Sequence, residues 1–341
     1  MKILLLLNGP DGCQTGIEDG FSYLKSTGAV SELEWLYLDE LITTFGIKAA
    51  INKTEEFAAS FQPTLIAIFH IGKIPITNKF ISSLKNLPSK PILVYDEGDM
   101  YGGWSKPITT SMSLIIRAAD VVSLRGLGQF RAEIAKLNNK IIYTPHHADI
   151  ARFDVEPFLL SERENKLTLI GNRVASRLGP IRRLPGAKGR EQFVRAMGEA
   201  FGNDFVLRGN GWDGFIGNRG PVDFYKQLDV YRTSWITVAY EHYPAIPYYF
   251  SNRLPIALLA GSLYVCHYHE GYENIFKDCD FIFFFKKDAE AIDLITYIHS
   301  LSSVDLLSRA TRARAFALKY FHPNVTWSNF VQNIQKATRC E

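Results

Sequence analysis

Short apolar runs alternate along the chain with longer segments whose apolar residues recur every three or four positions. Runs of Val, Ile, Leu and Phe bounded by turn residues predict buried strands, and the longer amphipathic segments predict helices. The alternation is typical of βαβ units, in which helices cover both faces of a parallel sheet. The strands predicted in the first half are Lys2–Asn8, Glu34–Asp39, Thr64–His70, Pro91–Asp96, Asp120–Leu124 and Lys140–Thr144.

The rhythm is interrupted once, at residues 148–166, where Pro157 and several charges replace the apolar runs. We therefore predict an α/β chain with a first domain at 1–150, a linker at 151–166 and a second domain at 167–323. Residues 324–341 are expected to form a final helix that packs back across the domains. The strands predicted in the second half are Leu167–Ile170, Phe205–Leu207, Trp235–Ala239, Ser262–His267 and Asp280–Phe285.

Two consecutive Rossmann-like domains of this kind are expected to face each other across a cleft. In open α/β sheets, ligands bind outside the carboxyl ends of the strands, so the loops after strands are where chemistry is expected. The length of 341 residues and a hydrophobic fraction of 47% allow two cores of ordinary size.

Charge and cysteine usage narrow the class of protein. The formal net charge of +3 argues against a bulk nucleic-acid coat but leaves room for a local basic patch. The four cysteines lack CxxC spacing, which argues against zinc and disulfide frameworks and favours a reducing, cytoplasmic location. The apolar run Ile3–Leu7 is too short for a signal-peptide core or a membrane span.

Three ordered segments carry a family resemblance: Tyr249–Leu254, Ala257–Gly261 and His269–Phe276. They combine a Ser-x-Arg entry, a helix ending in Ala-Gly, and a glycine turn before an acidic-x-x-Phe helix. Together with Gly-x-Gly-Trp at Gly209–Trp212, they resemble the CgeB-like glycosyltransferases of the group 1 (GT4-like) set. The resemblance covers roughly residues 167–331, whereas the first half matches only in rhythm.

This resemblance implies a GT-B fold and a nucleotide diphosphate sugar as donor substrate, with a UDP-sugar favoured. Glycines after strands let a ligand approach the backbone, a helix N-terminus favours a diphosphate, and arginine adds a cationic fork. Ser251 and Asn252 are expected to cap the helix that begins near Leu254. The predicted donor residues are Gly171, Asn172, Arg173, Arg208, Asn210, Trp212, Ser251, Asn252, Arg253, Glu270 and Gly271.

The sequence departs from the wider group in one respect. Many retaining members carry two glutamates eight positions apart before the helix-ending glycine, but here Tyr248 and Ile256 stand at those positions. The stereochemical outcome of transfer therefore stays open. Two other classes remain alternatives: a nucleotide-sugar 2-epimerase, and a non-catalytic protein that binds nucleotide sugars or polyanions.

Three residues of the first domain are candidates for the base that deprotonates an acceptor hydroxyl. Asp96 ranks first because it ends a predicted strand, followed by Asp11 in the loop after the first strand and His70 after the third. Because no acidic cluster suggests a metal site, transfer is expected to need neither metal nor another cofactor. We interpret the DxD triplet at Asp278–Asp280 as a turn.

The segment between Arg173 and Arg190 holds six basic residues and no acidic residue. It is predicted to be a loop over the cleft that binds donor phosphates or a polyanionic acceptor. A carbohydrate or small-molecule acceptor ranks above DNA, although a phage-type DNA base glycosyltransferase remains an alternative. Its predicted phosphate contacts include Arg177, Arg182, Arg183 and Lys188.

Overall fold

The computed structural model describes residues 1–71, 74–99, 106–153, 163–174 and 184–339. The chain divides into two compact units, of which the first contains residues 1–145 and 323–341 and the second contains residues 146–322. Both units are α/β, and each has one sheet of parallel strands.

The first unit contains a six-stranded sheet in the order β2-β1-β3-β4-β5-β6. Its strands are β1 (Lys2–Leu7), β2 (Glu32–Tyr37), β3 (Leu65–Phe69), β4 (Ile92–Glu97), β5 (Val121–Leu124) and β6 (Ile141–Tyr143). Its helices are α1 (Thr15–Ser26), α2 (Leu38–Phe45), α3 (Ile47–Phe61), α4 (Asn78–Lys85), α5 (Thr110–Ala118) and α6 (Gln129–Ala135), together with α13 (Pro323–Arg339) from the end of the chain.

Helix α13 belongs to the first unit because its aromatic face completes that unit's core. The indole of Trp327 donates to the carbonyl of Gly16 at 3.0 Å and packs against Phe21 in α1, with ring centroids 5.4 Å apart. A Cβ on Gly20 would lie 2.2 Å from the Trp327 ring, so α1 needs a glycine there for the two helices to pack this closely. Aromatic packing therefore fixes the end of the chain to α1.

The second unit contains a five-stranded sheet in the order β11-β10-β9-β7-β8. Its strands are β7 (Glu164–Ile170), β8 (Phe205–Arg208), β9 (Ser234–Ala239), β10 (Leu263–His267) and β11 (Ile282–Phe285). Its helices are α7 (Ala187–Phe201), α8 (Gln227–Arg232), α9 (Arg253–Leu259), α10 (Tyr272–Ile275), α11 (Asp288–His299) and α12 (Ser303–Tyr320), with 3-10 turns at Gly202–Asp204 and Phe224–Lys226.

The boundary region differs in detail from the sequence expectation. The first unit ends at Pro145 rather than at residue 150, and β7 begins at Glu164, inside the predicted linker. The sequence did not predict the start of this strand, because the charged residues Glu164 and Lys166 lie within it. Arg163 anchors the beginning of β7 by donating to the carbonyls of Ser234 and Gly261, each at 3.1 Å.

Candidate functional site

The carboxyl ends of the parallel strands lie at one edge of the second sheet. Strand β7 ends at Ile170, β8 at Arg208, β9 at Ala239 and β10 at His267. Because the strands are parallel and paired in register, the segments that follow them meet at this edge. These segments hold most of the predicted donor residues.

Glu241 is the centre of an ion-pair network at this edge. The Ser251 hydroxyl donates to one carboxylate oxygen at 2.7 Å, and Arg253 Nη2 pairs with the other at 3.1 Å. Arg190 Nη2 lies 3.7 Å from the same oxygen. Burial alone would raise the pKa of Glu241, but the charges of Arg253 and Arg190 outweigh it and lower that pKa to about 2. Glu241 is therefore ionised at neutral pH.

Arg190 joins the loops that follow β7 and β9. Its Nε donates to the Tyr240 carbonyl at 2.6 Å, and its Nη1 contacts the Asn172 carbonyl at 3.2 Å and His242 Nε2 at 2.6 Å. Burial and the charge of Arg253 lower the pKa of Arg190 to about 10, so the guanidinium stays charged at neutral pH. Burial and the two arginines lower the pKa of His242 to about 3, so its neutral ring can accept the hydrogen bond.

The network carries an excess of positive charge. Two guanidinium groups, on Arg190 and Arg253, face the single carboxylate of Glu241. Arg253 keeps 24% of its side chain exposed. Burial alone would lower the pKa of Arg253, but Glu241 and the neighbouring tyrosines together raise it above its ordinary value. An anion that reached Arg253 would therefore meet a positive field. A small cavity at this point is lined by Leu169, Ile170, Arg190, Ala239, Tyr240, Glu241 and Arg253.

Helix α7 begins beside this network. The Gly186 N–H donates to the His242 carbonyl at 2.7 Å, and Gly186 in turn accepts from the Arg190 N–H at 2.9 Å. A Cβ on Gly186 would lie 2.5 Å from the Glu241 carbonyl oxygen, so glycine is what allows this close approach. The first turn carries the exposed Lys188 and no acidic residue. Unpaired N–H groups and basic side chains at a helix N-terminus favour an anion.

The predicted capping role of Ser251 and Asn252 is wrong. Helix α9 begins at Arg253, and no side chain caps it at Asn252. The Ser251 hydroxyl instead donates to the buried carboxylate of Glu241, which is a charge-assisted hydrogen bond. Ser251 therefore contributes to the site by fixing Glu241.

The loops after β7 and β8 are held together by backbone contacts. The side-chain oxygen of Asn172 accepts from the Asn210 N–H at 2.8 Å. Gly209 has a φ of +143°, and a Cβ there would lie 2.3 Å from the Gly171 carbonyl oxygen. Trp212 is buried in the core and donates to that same carbonyl at 2.6 Å. Its ring is enclosed by the core and positions Gly171, so it offers no open surface to a donor.

Arg173 and Arg208 have partners within the second unit. Arg173 pairs with Glu191 at 2.9 Å, and its guanidinium lies over the Phe215 ring at 5.2 Å. Arg208 donates to the Arg219 carbonyl. Both arginines are therefore oriented by contacts within the second unit.

The loop after β10 is a tight turn that needs its glycine. Gly271 has a φ of +91°, and a Cβ there would lie 2.5 Å from the Tyr248 ring. Glu270 is exposed, and its carbonyl accepts from the Tyr248 N–H at 2.7 Å. His269 is buried, with Nδ1 2.9 Å from the Ile246 carbonyl oxygen, and burial lowers the pKa of His269. Glu270 is the exposed carboxylate of this turn.

The basic loop lies largely outside the described residues. Arg177, Arg182 and Arg183 fall in the range 175–183, so the predicted polyanion contacts have no described geometry. Lys188 is described, as the exposed residue in the first turn of α7.

A second group of polar residues lies at the carboxyl edge of the first sheet. Asp96, the highest-ranked base, is almost completely buried and pairs with both terminal nitrogens of Arg125 at 2.8 and 2.6 Å. Arg125 also donates to the Thr144 carbonyl at 3.2 Å. A carboxylate held by two charge-assisted bonds away from solvent is poorly placed to take a proton, so the geometry favours a structural role for Asp96.

His70 and Glu97 form a closer match to the chemistry expected of a base. His70 Nδ1 lies 2.7 Å from Glu97 Oε1, and the His70 side chain is 26% exposed whereas that of Glu97 is 0% exposed. The Tyr95 hydroxyl donates to the other oxygen of Glu97 at 2.5 Å. Asp11, the remaining candidate, is exposed, and its backbone N–H donates to Glu40 at 2.7 Å.

Four residues of these two edges were missed from the sequence as site residues: Glu97, Arg190, Glu241 and His242. Glu97 and Glu241 each end or follow a predicted strand, which is the signal that could have found them. Arg190 was assigned to the basic loop, but it lies in α7 and points into the network. A charged residue in the first turn of a helix that follows a strand is therefore a candidate site residue.

The described residues contain no group of three or more His, Cys, Asp or Glu side chains that could hold a metal ion. Within the DxD triplet, Asp280 pairs with Arg312 at 2.6 Å and Asp278 has a left-handed φ of +62°. Across the helices that the structure describes, none has an apolar stretch long enough to cross a membrane.

The chain is similar to known proteins in one family model and in several solved structures. Residues 182–332 match the family model described as Glycosyl transferase-like. No curated protein matches the chain. The solved structures that are similar include a glycosyltransferase from Rickettsia africae ESF-5, with a TM-score of 0.61 and 13% identity over 100% of both chains.

Two further solved structures have the same fold. Alr3699/HepE of Anabaena, solved in complex with UDP and glucose, has a TM-score of 0.60 and 14% identity over 98% of this chain and 99% of that chain. AviGT4, a glycosyltransferase involved in avilamycin A biosynthesis, has a TM-score of 0.59 and 12% identity over 99% and 98%. The solved structures confirm the prediction of a two-domain GT-B fold, and the family match over residues 182–332 supports the prediction of a glycosyltransferase.

Proposed function

We propose that the protein transfers a sugar from a nucleotide diphosphate sugar to an acceptor hydroxyl, with the diphosphate bound at the carboxyl edge of the second sheet. The observation that carries this proposal is the pair of arginines, Arg190 and Arg253, held against one glutamate beside the N-terminus of α7. Preorganised cations of this kind stabilise the negative charge that develops on a leaving diphosphate.

The division of roles within the network follows from burial. Arg190 is enclosed and fully engaged by the protein, so it supplies a fixed positive field. Arg253 keeps a partly exposed face, so it is the guanidinium proposed to contact a phosphate oxygen directly. Glu241 orients both arginines, and Lys188 adds an exposed positive charge at the start of α7. Arg173, Arg208 and Glu270 remain proposed donor contacts.

A UDP-sugar is the proposed donor because Alr3699/HepE, which shares the fold, was solved with UDP. The CgeB-like assignment rests on the motif at Tyr249–Leu254 and is proposed on that ground. The acceptor is proposed to be a carbohydrate or a small molecule. A DNA acceptor depends on Arg177, Arg182 and Arg183 and stays a prediction.

Titration calorimetry with UDP tests the donor site. Arg253→Ala is expected to weaken UDP binding by about 1.5–3 kcal/mol, the range for a hydrogen bond to a charged group. Because Arg253 also neutralises Glu241, the companion variant Arg253→Lys keeps the charge and is expected to lose less. The titrations are run in EDTA and again with magnesium, and neutralisation by arginine predicts the same affinity in both buffers.

The matched control is Arg312→Ala, which removes an exposed arginine of the same unit whose partner is Asp280. It is expected to leave UDP affinity unchanged. Equal affinity of wild type and folded Arg253→Ala would remove the proposed diphosphate site. Incubation with UDP-glucose alone distinguishes the epimerase alternative, because an epimerase forms product without an acceptor.

A further inference from the structure

Two cavities lie side by side at the amino edge of the first sheet, the edge opposite to the one where β4 ends at Glu97. The larger has a volume of about 350 Å³ and the smaller a volume of about 260 Å³. Asp120 and Lys140, which come directly before β5 and β6, line both cavities. The two cavities therefore adjoin at the starts of neighbouring strands, and we call them together the amino-edge recess.

Positive charge dominates the lining of the amino-edge recess. Lys85, Lys90 and Lys140 line the larger cavity, and Arg117 joins Lys140 in the smaller one. Among the described residues of this lining, Asp120 is the only carboxylate. Its Oδ1 accepts from Lys85 Nζ at 2.9 Å, and its Oδ2 accepts from a backbone N–H of β4 at 2.8 Å. Four cations and one carboxylate give the lining a net charge of +3.

Two of the four cations have a structural role. Lys85 and Arg117 lie in the last turns of α4 and α5, where the helix dipole favours a cation. Lys85 also donates to the Ala118 carbonyl at 2.7 Å. Lys90 and Lys140 lie outside helices, in the segments that lead into β4 and β6. The helix ends therefore do not account for the charges of these two lysines.

We propose that the amino-edge recess is a second anion site, which binds a soluble ligand through a phosphate group. Lysine and arginine donate charge-assisted hydrogen bonds to phosphate oxygens, and a dianionic group would offset most of the net charge of the lining. Pro91 is buried and Ile92 is half-buried, and they give the larger cavity an apolar wall for the organic part of such a ligand. The site lies within the first unit and does not depend on the proposed sugar transfer.

The shape of the recess favours a small molecule over a membrane surface. Sites that lie on a membrane combine lysines with exposed apolar or aromatic side chains. In the part of the chain that the structure describes, none of the large hydrophobic side chains classed as exposed lines either cavity. The lysines instead surround a concave volume, so several of them can reach one phosphate group.

Titration calorimetry with pyrophosphate tests the site. The double variant Lys90→Gln/Lys140→Gln is expected to bind pyrophosphate at least about tenfold more weakly than wild type, because the loss of one hydrogen bond to a charged group already corresponds to about tenfold in affinity. Pyrophosphate can also bind the proposed donor site, so the titrations are repeated with Arg253→Ala. The amino-edge site is expected to remain in Arg253→Ala and to be lost only with the two lysines.

The matched control is Lys48→Gln/Lys53→Gln, which removes the same charge from exposed positions of α3 that line neither cavity. It is expected to keep the wild-type affinity for pyrophosphate, and urea denaturation checks that both double variants are folded. Lys90→Gln alone changes an exposed side chain and is expected to give a smaller loss in the same direction. Equal weakening in the two double variants, or no pyrophosphate binding by wild type, would overturn the proposal.

Sedimentation with phosphatidylcholine vesicles that contain phosphatidic acid distinguishes a lipid phosphate from a soluble one. Wild type and Lys90→Gln/Lys140→Gln are expected to sediment equally little. Vesicle binding that wild type shows and the double variant loses would assign the recess to a membrane surface, contrary to the proposal. The affinity for UDP is measured separately, so a failure of the donor site and a failure of this site are distinguishable.

Discussion

The two sheets both end in a polar edge, and each edge holds a histidine in an opposite electrostatic setting. His70, at the edge of the first sheet, is bonded through Nδ1 to a buried glutamate, and its pKa is raised. His242, at the edge of the second sheet, is bonded through Nε2 to Arg190, and its pKa falls to about 3. The same residue type is therefore prepared for protonation in one unit and kept neutral in the other.

The difference follows from which charge is buried in excess. At the second edge, Glu241 is outnumbered by Arg190 and Arg253, so the surroundings favour an additional anion. At the first edge, Glu97 takes its hydrogen bonds from a hydroxyl, a backbone N–H and an imidazole, so the surroundings favour a proton. Residues that follow the strands of one fold type thus create opposite electrostatic surroundings in the two units.

The largest expected effect comes from removing the carboxylate that the second edge is built around. Glu241→Gln leaves Arg190 and Arg253 close together and uncompensated, and breaking a buried ion pair in this way costs about 3–5 kcal/mol of the free energy of unfolding. Urea denaturation measures the loss. Saturating UDP is expected to restore part of the lost free energy of unfolding, because the bound anion replaces the missing negative charge.

Glu191→Gln is the matched control for this variant. Glu191 also pairs with two arginines, Arg173 and Arg195, but the three side chains are 28–55% exposed. Exposed pairs are screened by solvent, so the expected loss is only about 0–1 kcal/mol. Similar losses for the two glutamates would show that burial does not distinguish the networks, and the comparison between the two edges would lose its basis.

Much of the fold could be predicted from the sequence because apolar runs indicate buried strands directly. The run Ile3–Leu7 is buried throughout β1, as its uninterrupted apolar character predicted, and the GT-B architecture follows from repeating such runs. The start of β7 at Glu164 was missed because charged residues at a strand end resemble a linker. Boundaries of this kind depend on tertiary contacts, here those of Arg163, which local patterns do not contain.

The polar site was harder to predict from the sequence, because a polar residue can bond to several alternative partners. Ser251 has the sequence context of a helix cap, yet it bonds to Glu241, ten residues earlier in the chain. Asp96 and Glu97 are adjacent and both acidic, but the alternation of a strand sends them to opposite partners, Arg125 and His70. Sequence placed the chemistry at the ends of strands, while the assignment of partners needed three-dimensional distances.

A smaller effect is expected from Asp96→Asn, which tests whether adjacent carboxylates of the first edge have different roles. The amide can still accept one bond from Arg125 but loses the charge, so the expected destabilisation is about 2–3 kcal/mol, near the upper range for a charged hydrogen bond. Urea denaturation measures the loss. An Asp96→Asn variant as stable as wild type would contradict the structural role of Asp96.

The last expected effect is a pH dependence of stability that has opposite signs in the two units. His242 is neutral in the folded protein down to about pH 3, whereas an unfolded histidine binds a proton near 6.5. The unfolded state therefore gains the proton first, and stability falls as pH drops from about 6.5 towards 3. For His70, the folded pKa is the higher one, so its contribution is present below 6.5 and is lost as pH rises through the raised value.

Single-residue variants separate the contributions of the two histidines to the change of stability with pH. Each histidine contributes at most about 1.4 kcal/mol per pH unit, so urea midpoints are measured from pH 4.5 to pH 8.5 on wild type, His242→Gln and His70→Gln. His242→Gln is expected to flatten the acidic side of the profile, and His70→Gln the side above 6.5. Glu241 adds its own loss only below its ordinary pKa of 4.5, outside most of this range. Slopes of the same sign for both histidines would contradict the electrostatic contrast between the two edges.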